Sequence, residues 1–317
     1  MKTPRAGVVG CGSIGRRYLI WLTQLGCEVG VYDPDSSKMT NLDAQASIFT
    51  ELHSLLEWAE DYVVIASPPR NHSSPMLAAL AGRAKILVEK PLAASLAEAR
   101  KMLLAATHAP GRVFGVCNMR FHPAVQALRK QLDQIGNPLY ARAHFSHRLA
   151  QMRPAGLNVF AADAKEGGGV ILDCVHDIDL LVWMLGTLHV VNTWTGRIGP
   201  DPIAAEDYAE IHLQSAHGIR VALHLDFVAR WKRRGFELVG TEASLLWHSE
   251  GRCPETATVC LNHADSPSVI FESSLVDPNI PYLDMLRSFL NDGRDLQTLQ
   301  EAKHVLCLAH EAGAVLN

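Results

Sequence analysis

The chain of 317 residues is too long for one ordinary hydrophobic core and fits two domains of common size, each with its own apolar interior. With 48% hydrophobic and 20% charged residues it is neither a disordered, a collagen-like nor a coiled-coil chain. A formal net charge of −4, with no basic run longer than Arg16-Arg17 or Lys232-Arg233-Arg234, argues against nucleic acid or an acidic membrane as partner.

Ala6 to Val9 is a short apolar run entering a glycine cluster, and Ile14 to Leu25 follows with apolar residues at helical spacing, so strand, turn and helix are predicted in that order. Further strands are expected at 27–32, 62–66, 85–88 and 113–117, with helices between them around 52–59 and 75–81. Strands alternating with helices imply right-handed crossovers and a doubly wound parallel sheet, here a Rossmann domain over residues 1–120. Beyond Arg120 the pattern changes. A helix over 123–132 leads into the alternating segments 139–149, 208–213 and 220–227, which suit a large, mainly antiparallel open sheet. A helix from about Val170 to Leu185 ends at Gly186, a natural C-cap, and two more are expected over 282–290 and 299–312. The overall expectation is an α/β chain with a second α/β domain over 121–317, for catalysis, substrate and oligomerisation, and with 153–169 as a long loop over a site.

Gly10-Cys11-Gly12-Ser13-Ile14-Gly15 matches GxGxxG between the first strand and first helix, the context that gives the motif its meaning. Gly10 permits the tight turn, Gly12 lets backbone approach a pyrophosphate, and Gly15 lets helix and strand pack closely. The unpaired N–H groups of Ser13, Ile14 and the rest of the first turn suit phosphate. Asp33 closes the second strand about 20 residues past the glycines, where a carboxylate accepts from the adenosine ribose hydroxyls and repels a 2′-phosphate. NAD is the expected cofactor. Asp33 before Pro34 also reads as a plain turn former, and Ser36, Ser37 and Lys38 leave NADP open.

Glu89-Lys90-Pro91 sits at the carboxyl end of the fourth apolar strand, the edge where open α/β sheets bind ligands. Taken alone, Lys90 reads equally as a solvated strand-end lysine. Two further features change that reading: Ser67-Pro68-Pro69-Arg70-Asn71-His72 after the third strand, and Gly167-Gly168-Gly169 followed by Asp173, His176 and Asp179. Together with the glycine turn they resemble the Gfo/Idh/MocA family of sugar and cyclitol oxidoreductases over nearly the whole chain. Asn118-Met119-Arg120-Phe121-His122-Pro123 is similar to a pattern found in members of which several act on nucleotide-linked or otherwise modified sugars.

The resemblance implies an NAD(P)-dependent dehydrogenase or reductase acting on a secondary alcohol or ketone of a sugar-like substrate. It implies that Lys90 holds the reacting oxygen, His176 carries the proton and Asp173 orients it, with Asp179 available to the second imidazole nitrogen. Many members place the aspartate four residues before the histidine, and here the interval is three. Ser67, Pro68, His72, Glu89, Lys90, Pro91 and Asn118 are then expected to contact the cofactor. Arg120, Arg148, Arg153 and Trp231, with Arg233 and Arg234 beside it, are expected near the substrate along with Lys90, Asp173 and His176. A metal bound by His176, Asp173, Asp177 and Asp179 is set aside, because Asp177 leaves the shared helical face. Two rivals stay open: a relative that hydrolyses or epimerises glycosides by transient oxidation, and a dinucleotide-sensing regulator without chemistry. The family's habit further implies a homo-oligomer, dimer or tetramer.

Seven scattered cysteines without a CxxC pair read as free thiols of a reducing compartment. The first strand begins too close to Met1 for a secretion signal, and no apolar run approaches the roughly 20 residues that span a bilayer. A cytoplasmic location and no membrane partner are expected.

Overall fold

The computed structural model describes residues 2–42, 45–153, 156–157, 160–163, 168–252, 255–264 and 266–313. In the first compact unit the chain runs β1 (Arg5–Val9), α1 (Ser13–Gln24), β2 (Glu28–Tyr32), β3 (Ala46–Ile48), α2 (Leu52–Trp58), β4 (Tyr62–Ile65), α3 (Ser73–Ala79), β5 (Lys85–Val88), α4 (Leu96–Ala106) and β6 (Val113–Gly115). The six strands pair in parallel in the order β6-β5-β4-β1-β2-β3, the doubly wound arrangement expected. Val63, Val64, Ile65, Ile86, Leu87 and Val88 are all at most 1% exposed, as continuous apolar strands between two helical layers must be. Tyr18, Leu19 and Leu22 give α1 its buried face against the sheet.

The second unit continues with α5 (Pro123–Arg129), β7 (Pro138–Ser146), α6 (Leu149–Met152), α7 (Val170–Asp173), α8 (Val175–Leu185) and β8 (Leu188–Gly196). Six more strands follow: β9 (Tyr208–Ser215), β10 (Arg220–Asp226), β11 (Arg233–Gly240), β12 (Ser244–Gly251), β13 (Glu255–His263) and β14 (Ser266–Ser273). They form one sheet in the order β14-β13-β12-β11-β7-β10-β9-β8, antiparallel throughout except for the parallel pair β7 and β10. Buried and open residues alternate along β9 and β12, so one face is packed; α5 lies against β12 to β14, α7 against β9 and β10, and α8 against β7. The expected strand over 139–149 ends at Ser146, because Leu149 opens α6.

Two expectations need correcting. The helix drawn from Val170 to Leu185 is two helices, since Cys174 at φ −98°, ψ 25° leaves the helical region and separates α7 from α8. The single boundary near residue 120 also fails. The last elements are α9 (Ile280–Leu290), β15 (Gln297–Thr298) and α10 (Leu299–Gly313), and the compact units are 1–117 with 282–304, and 118–281 with the residues from 305 onward. The reason is pairing: β15 adds antiparallel to the bare edge of β6, Tyr62 donates its hydroxyl to the Leu290 carbonyl at 2.7 Å, and the Tyr282 ring stacks on Trp21 at 4.6 Å. Gly167 of the glycine run and much of the expected loop, at 154–155, 158–159 and 164–167, lie outside the described residues.

Candidate active site

At the glycine turn β1 ends, Gly10 reverses the chain with φ +100°, and a Cβ there would stand 2.6 Å from the Ser67 nitrogen. A Cβ on Gly15 would come within 2.0 Å of the Gly10 carbonyl oxygen, so only glycine lets α1 start this close to the strand. Gly12 and Ser13 are exposed, nothing lies within 4 Å of a Cβ on Gly12, and no side chain caps the α1 N-terminus. Open space in front of free helix N–H groups fits the diphosphate of a dinucleotide. Asp33 stands behind the turn, 7% exposed, accepting the Cys11 N–H at 2.8 Å and the Asp35 N–H at 2.9 Å, with Lys38 Nζ at 3.7 Å. Each carboxylate oxygen keeps a lone pair for another donor.

Glu89 is buried at the end of β5, accepting the Tyr18 hydroxyl at 2.7 Å and the Lys90 backbone N–H at 2.9 Å. Burial pushes its carboxyl above the ordinary range, and the Tyr18 hydrogen bond pulls the other way. Glu89 therefore braces Lys90 from behind. Lys90 itself is half-buried and precedes a cis bond to Pro91. His72 is wholly buried, its Nε2 2.7 Å from the Ser67 carbonyl and its Nδ1 3.1 Å from the Leu92 carbonyl, so it ties two loops together. Burial lowers its pKa despite these two carbonyls. Ser67 and Pro68 remain accessible beside the glycine turn.

In the second unit the α7–α8 junction carries Asp173 and His176, both half-buried. Glu206 holds the start of α7: its carboxylate accepts the Ile171 N–H at 3.3 Å and fills the space a side chain at Gly169 would need. Burial raises the Glu206 pKa. Arg153, at the near end of the expected loop, reaches Asp173 at 3.9 Å. The break at Cys174 removes the continuous helix on which the three-residue spacing was read, and Asp179 lies on α8. Its two oxygens take Nε and Nη2 of Arg120 at 2.8 and 2.6 Å, with both residues 1% exposed. Arg120 is thus held inside the protein by this pair. Arg234 is likewise buried, bonding Asp177 through Nε and Nη2 at 3.0 and 2.8 Å. Burial pushes the Asp177 carboxyl up and Arg234 pulls it down.

Of the remaining residues, Arg148 is drawn to Asp201 at 2.6 Å, which holds that carboxyl below its usual range. Trp231 is 61% exposed with its indole N–H on Glu250 at 3.2 Å, and so stays available to a ligand. Asn118 is buried with no hydrogen-bond partner for Oδ1 among the described residues. Sequence reasoning missed Tyr18 and Glu206. An acidic residue directly before a lysine at a strand end was the available signal for a buried brace, but its donor lies 71 residues away.

Residues 4–116 match the oxidoreductase family with an NAD-binding Rossmann fold, and 125–246 match the GFO/IDH/MocA C-terminal domain. The inositol 2-dehydrogenase 2 of Saccharopolyspora erythraea is 30% identical over 264 residues, covering 78% of this chain and 74% of that protein. The 1,5-anhydro-D-fructose reductase of Ensifer adhaerens is 28% identical over 278 residues, 83% of this chain and 81% of that one. Among solved structures, an Agrobacterium radiobacter oxidoreductase in complex with NAD+, L-tartaric acid and magnesium has a TM-score of 0.83 at 17% identity, covering 99% of this chain and 97% of that one. With a complete glycine turn, both family domains in order and a relative at this level of identity, the chain belongs to the Gfo/Idh/MocA family of NAD-binding oxidoreductases.

Proposed function

We propose that the protein is an NAD-dependent dehydrogenase or reductase acting on a secondary alcohol or ketone of a polyhydroxylated, sugar-like compound. The observation that carries this reading is the Glu89-Lys90 pair, a buried carboxylate bracing a lysine at the carboxyl end of β5 in the same unit as the glycine turn. Gly10, Gly12, Ser13, Ile14 and Gly15 hold the diphosphate, and Asp33 takes the ribose hydroxyls. Ser67, Pro68 and Pro91 line the same strand edge. NAD, when bound, supplies the acceptor or donor of hydride. Lys90 gives its ammonium to the reacting oxygen and stabilises the charge that develops there. His176 takes the hydroxyl proton in oxidation and returns it in reduction, and Asp173 orients the ring. Names of relatives that act on inositol and 1,5-anhydro-D-fructose support a cyclic polyol or its ketone as substrate class.

The reading extends to a cytoplasmic homo-oligomer, dimer or tetramer. Support comes from the open face of the second unit's sheet, where Trp194 is 76%, Val269 61% and Val191 59% exposed, and where Val191, Tyr140 and Arg142 line a trough of about 520 Å³. Arg142 and Glu237 pair on that face, an alternation of charge that a second copy turned over can match. The six described cysteines are free thiols, and no described helix is long and apolar enough to cross a membrane.

The test is a screen of inositols, 1,5-anhydro-D-fructose and nucleotide-linked sugars, following absorbance of the reduced nicotinamide. At least one compound is expected to turn over with NAD(H), and His176→Asn is expected to remove the neutral ionisation from its rate profile. Native turnover and an unchanged profile in His176→Asn would refute the proton-carrier role.

A further inference from the structure

We propose that Arg234 and Arg120 are positioning residues for His176, acting through Asp177 and Asp179. The inference rests on His176 being the proton carrier of the proposed reaction.

His176 stands in the first turn of α8, directly after the break at Cys174, and no side chain caps that helix start. A first turn lacks half of its backbone hydrogen bonds and frays unless something else fixes it. Two carboxylates fix it here. At roughly 100° per residue around a helix, Asp177 lies about 100° to one side of His176 and Asp179 about 60° to the other. Each is gripped by a guanidinium through two hydrogen bonds: Asp177 by Arg234 of β11, Asp179 by Arg120 of the turn before α5. Rotation of α8 in either direction stretches one pair.

The two arginines are themselves held. Arg234 reaches Met119 Sδ at 3.1 Å, one residue from Arg120, and its guanidinium lies 4.7 Å from the Phe145 ring. Arg120 stacks over Trp183 of the same helix at 5.4 Å. Stability alone is a weak reason for this arrangement, because a buried ion pair exchanged for apolar groups of similar volume is often neutral or better. What apolar packing does not supply is a planar, two-bond fork that sets an angle. Two such forks on one turn, on opposite sides of one histidine, fix the direction in which its Cα–Cβ bond leaves the helix.

The test separates angle from stability. In Arg234→Met with Asp177→Leu, both charges go together and packing volume is kept. Thermal stability and NADH affinity are expected to stay near native, while kcat on the best compound of the screen falls tenfold to a hundredfold, the scale of a small misplacement of a reacting group, with KM little changed. Placed in a His176→Asn background the same pair of changes is expected to lower kcat less than twofold, since there is no ring left to aim. Native kcat in the double variant, or an equal fall in both backgrounds, overturns the proposal. Arg234→Lys, which keeps the charge and loses the fork, serves if the double variant does not fold. A substrate-free reading comes from histidine-labelled protein: the His176 ring resonance, identified by its absence in His176→Asn, is expected to shift in Arg234→Lys, and an unmoved resonance overturns the idea. If His176→Asn alone keeps native turnover, the catalytic reading itself has failed, which the coupling measurement does not mimic.

Discussion

Tyr18→Phe removes a single hydroxyl that donates to Glu89 Oε1 at 2.7 Å inside the first unit, where both residues are buried. The phenyl ring keeps the packing against Trp21, so the loss is confined to one hydrogen bond with a charged acceptor. Leaving a buried carboxylate short of a donor costs about 1–3 kcal/mol. At about 2 kcal/mol the unit should unfold roughly 4–8 °C lower, taking the size of one such domain. The raised Glu89 pKa sets the sign with pH. A folded carboxyl held above its unfolded value resists ionisation, so its contribution is intact below the ordinary carboxylate range and declines as pH rises through the folded value. Removing Tyr18's hydroxyl raises that folded value further. The gap between variant and native protein is therefore expected to be widest near pH 8 and to narrow toward pH 4, by thermal unfolding followed with circular dichroism. Equal melting temperatures near pH 8, or a gap that widens in acid, would show that Glu89 does not depend on Tyr18. Because Glu89 also takes the Lys90 N–H, turnover should fall with it.

Lys90→Ala is expected to leave NADH binding by fluorescence nearly intact while lowering turnover about a hundredfold or more, the scale of losing one charge at the reacting oxygen; a fully active variant contradicts the role. Native protein should bind NADH more tightly than NADPH, and Asp33→Ala should narrow the difference while weakening both, since the Cys11 N–H loses its acceptor as well. Equal native affinities would sink the ribose reading. In the second unit, burial pushes the Glu255 carboxyl up from 4.5, but His122, Lys232 and Ser249 together overcome it and hold the group at about 2. A depressed carboxyl contributes stability above its unfolded value and loses it as pH falls toward the folded one, here between about 4.5 and 2, worth about 3 kcal/mol. Glu255→Gln is expected to lower stability at neutral pH and to flatten the acid limb of a denaturation profile; an unchanged limb counts against the cluster.

How much the sequence disclosed depends on distance along the chain. The glycine turn, β4 and β5 are contiguous, so their periodicity and their place at strand ends are legible without a fold, and so is Lys90. The clamps are not. Asp179 and Arg120 are 59 residues apart, Asp177 and Arg234 57, and a lone pattern of acid residues after a histidine points as easily to the imidazole as to an arginine elsewhere. The break at Cys174 was equally hidden, since neither glycine nor proline stands there and both flanks have helical spacing. Five strands of the second sheet, β8 and β11 to β14, escaped notice because half-open strands carry weaker patterns than buried ones. β15, at two residues, exists only because β6 offers it an edge.

That edge bears on how the chain is made. The cofactor-binding unit is discontinuous: the Tyr282 ring on Trp21, the Leu290 carbonyl on Tyr62 and the β15 pairing all come from residues after 281. During synthesis, residues 1–117 leave the ribosome long before the segment that closes their sheet, so the N-terminal part waits with an open β6 edge and uncovered aromatic surface while residues 118–281 are translated. Full closure then waits for residues 282–304, and a fragment cut after the last Rossmann strand would carry the complete glycine turn yet lack a wall of its own core.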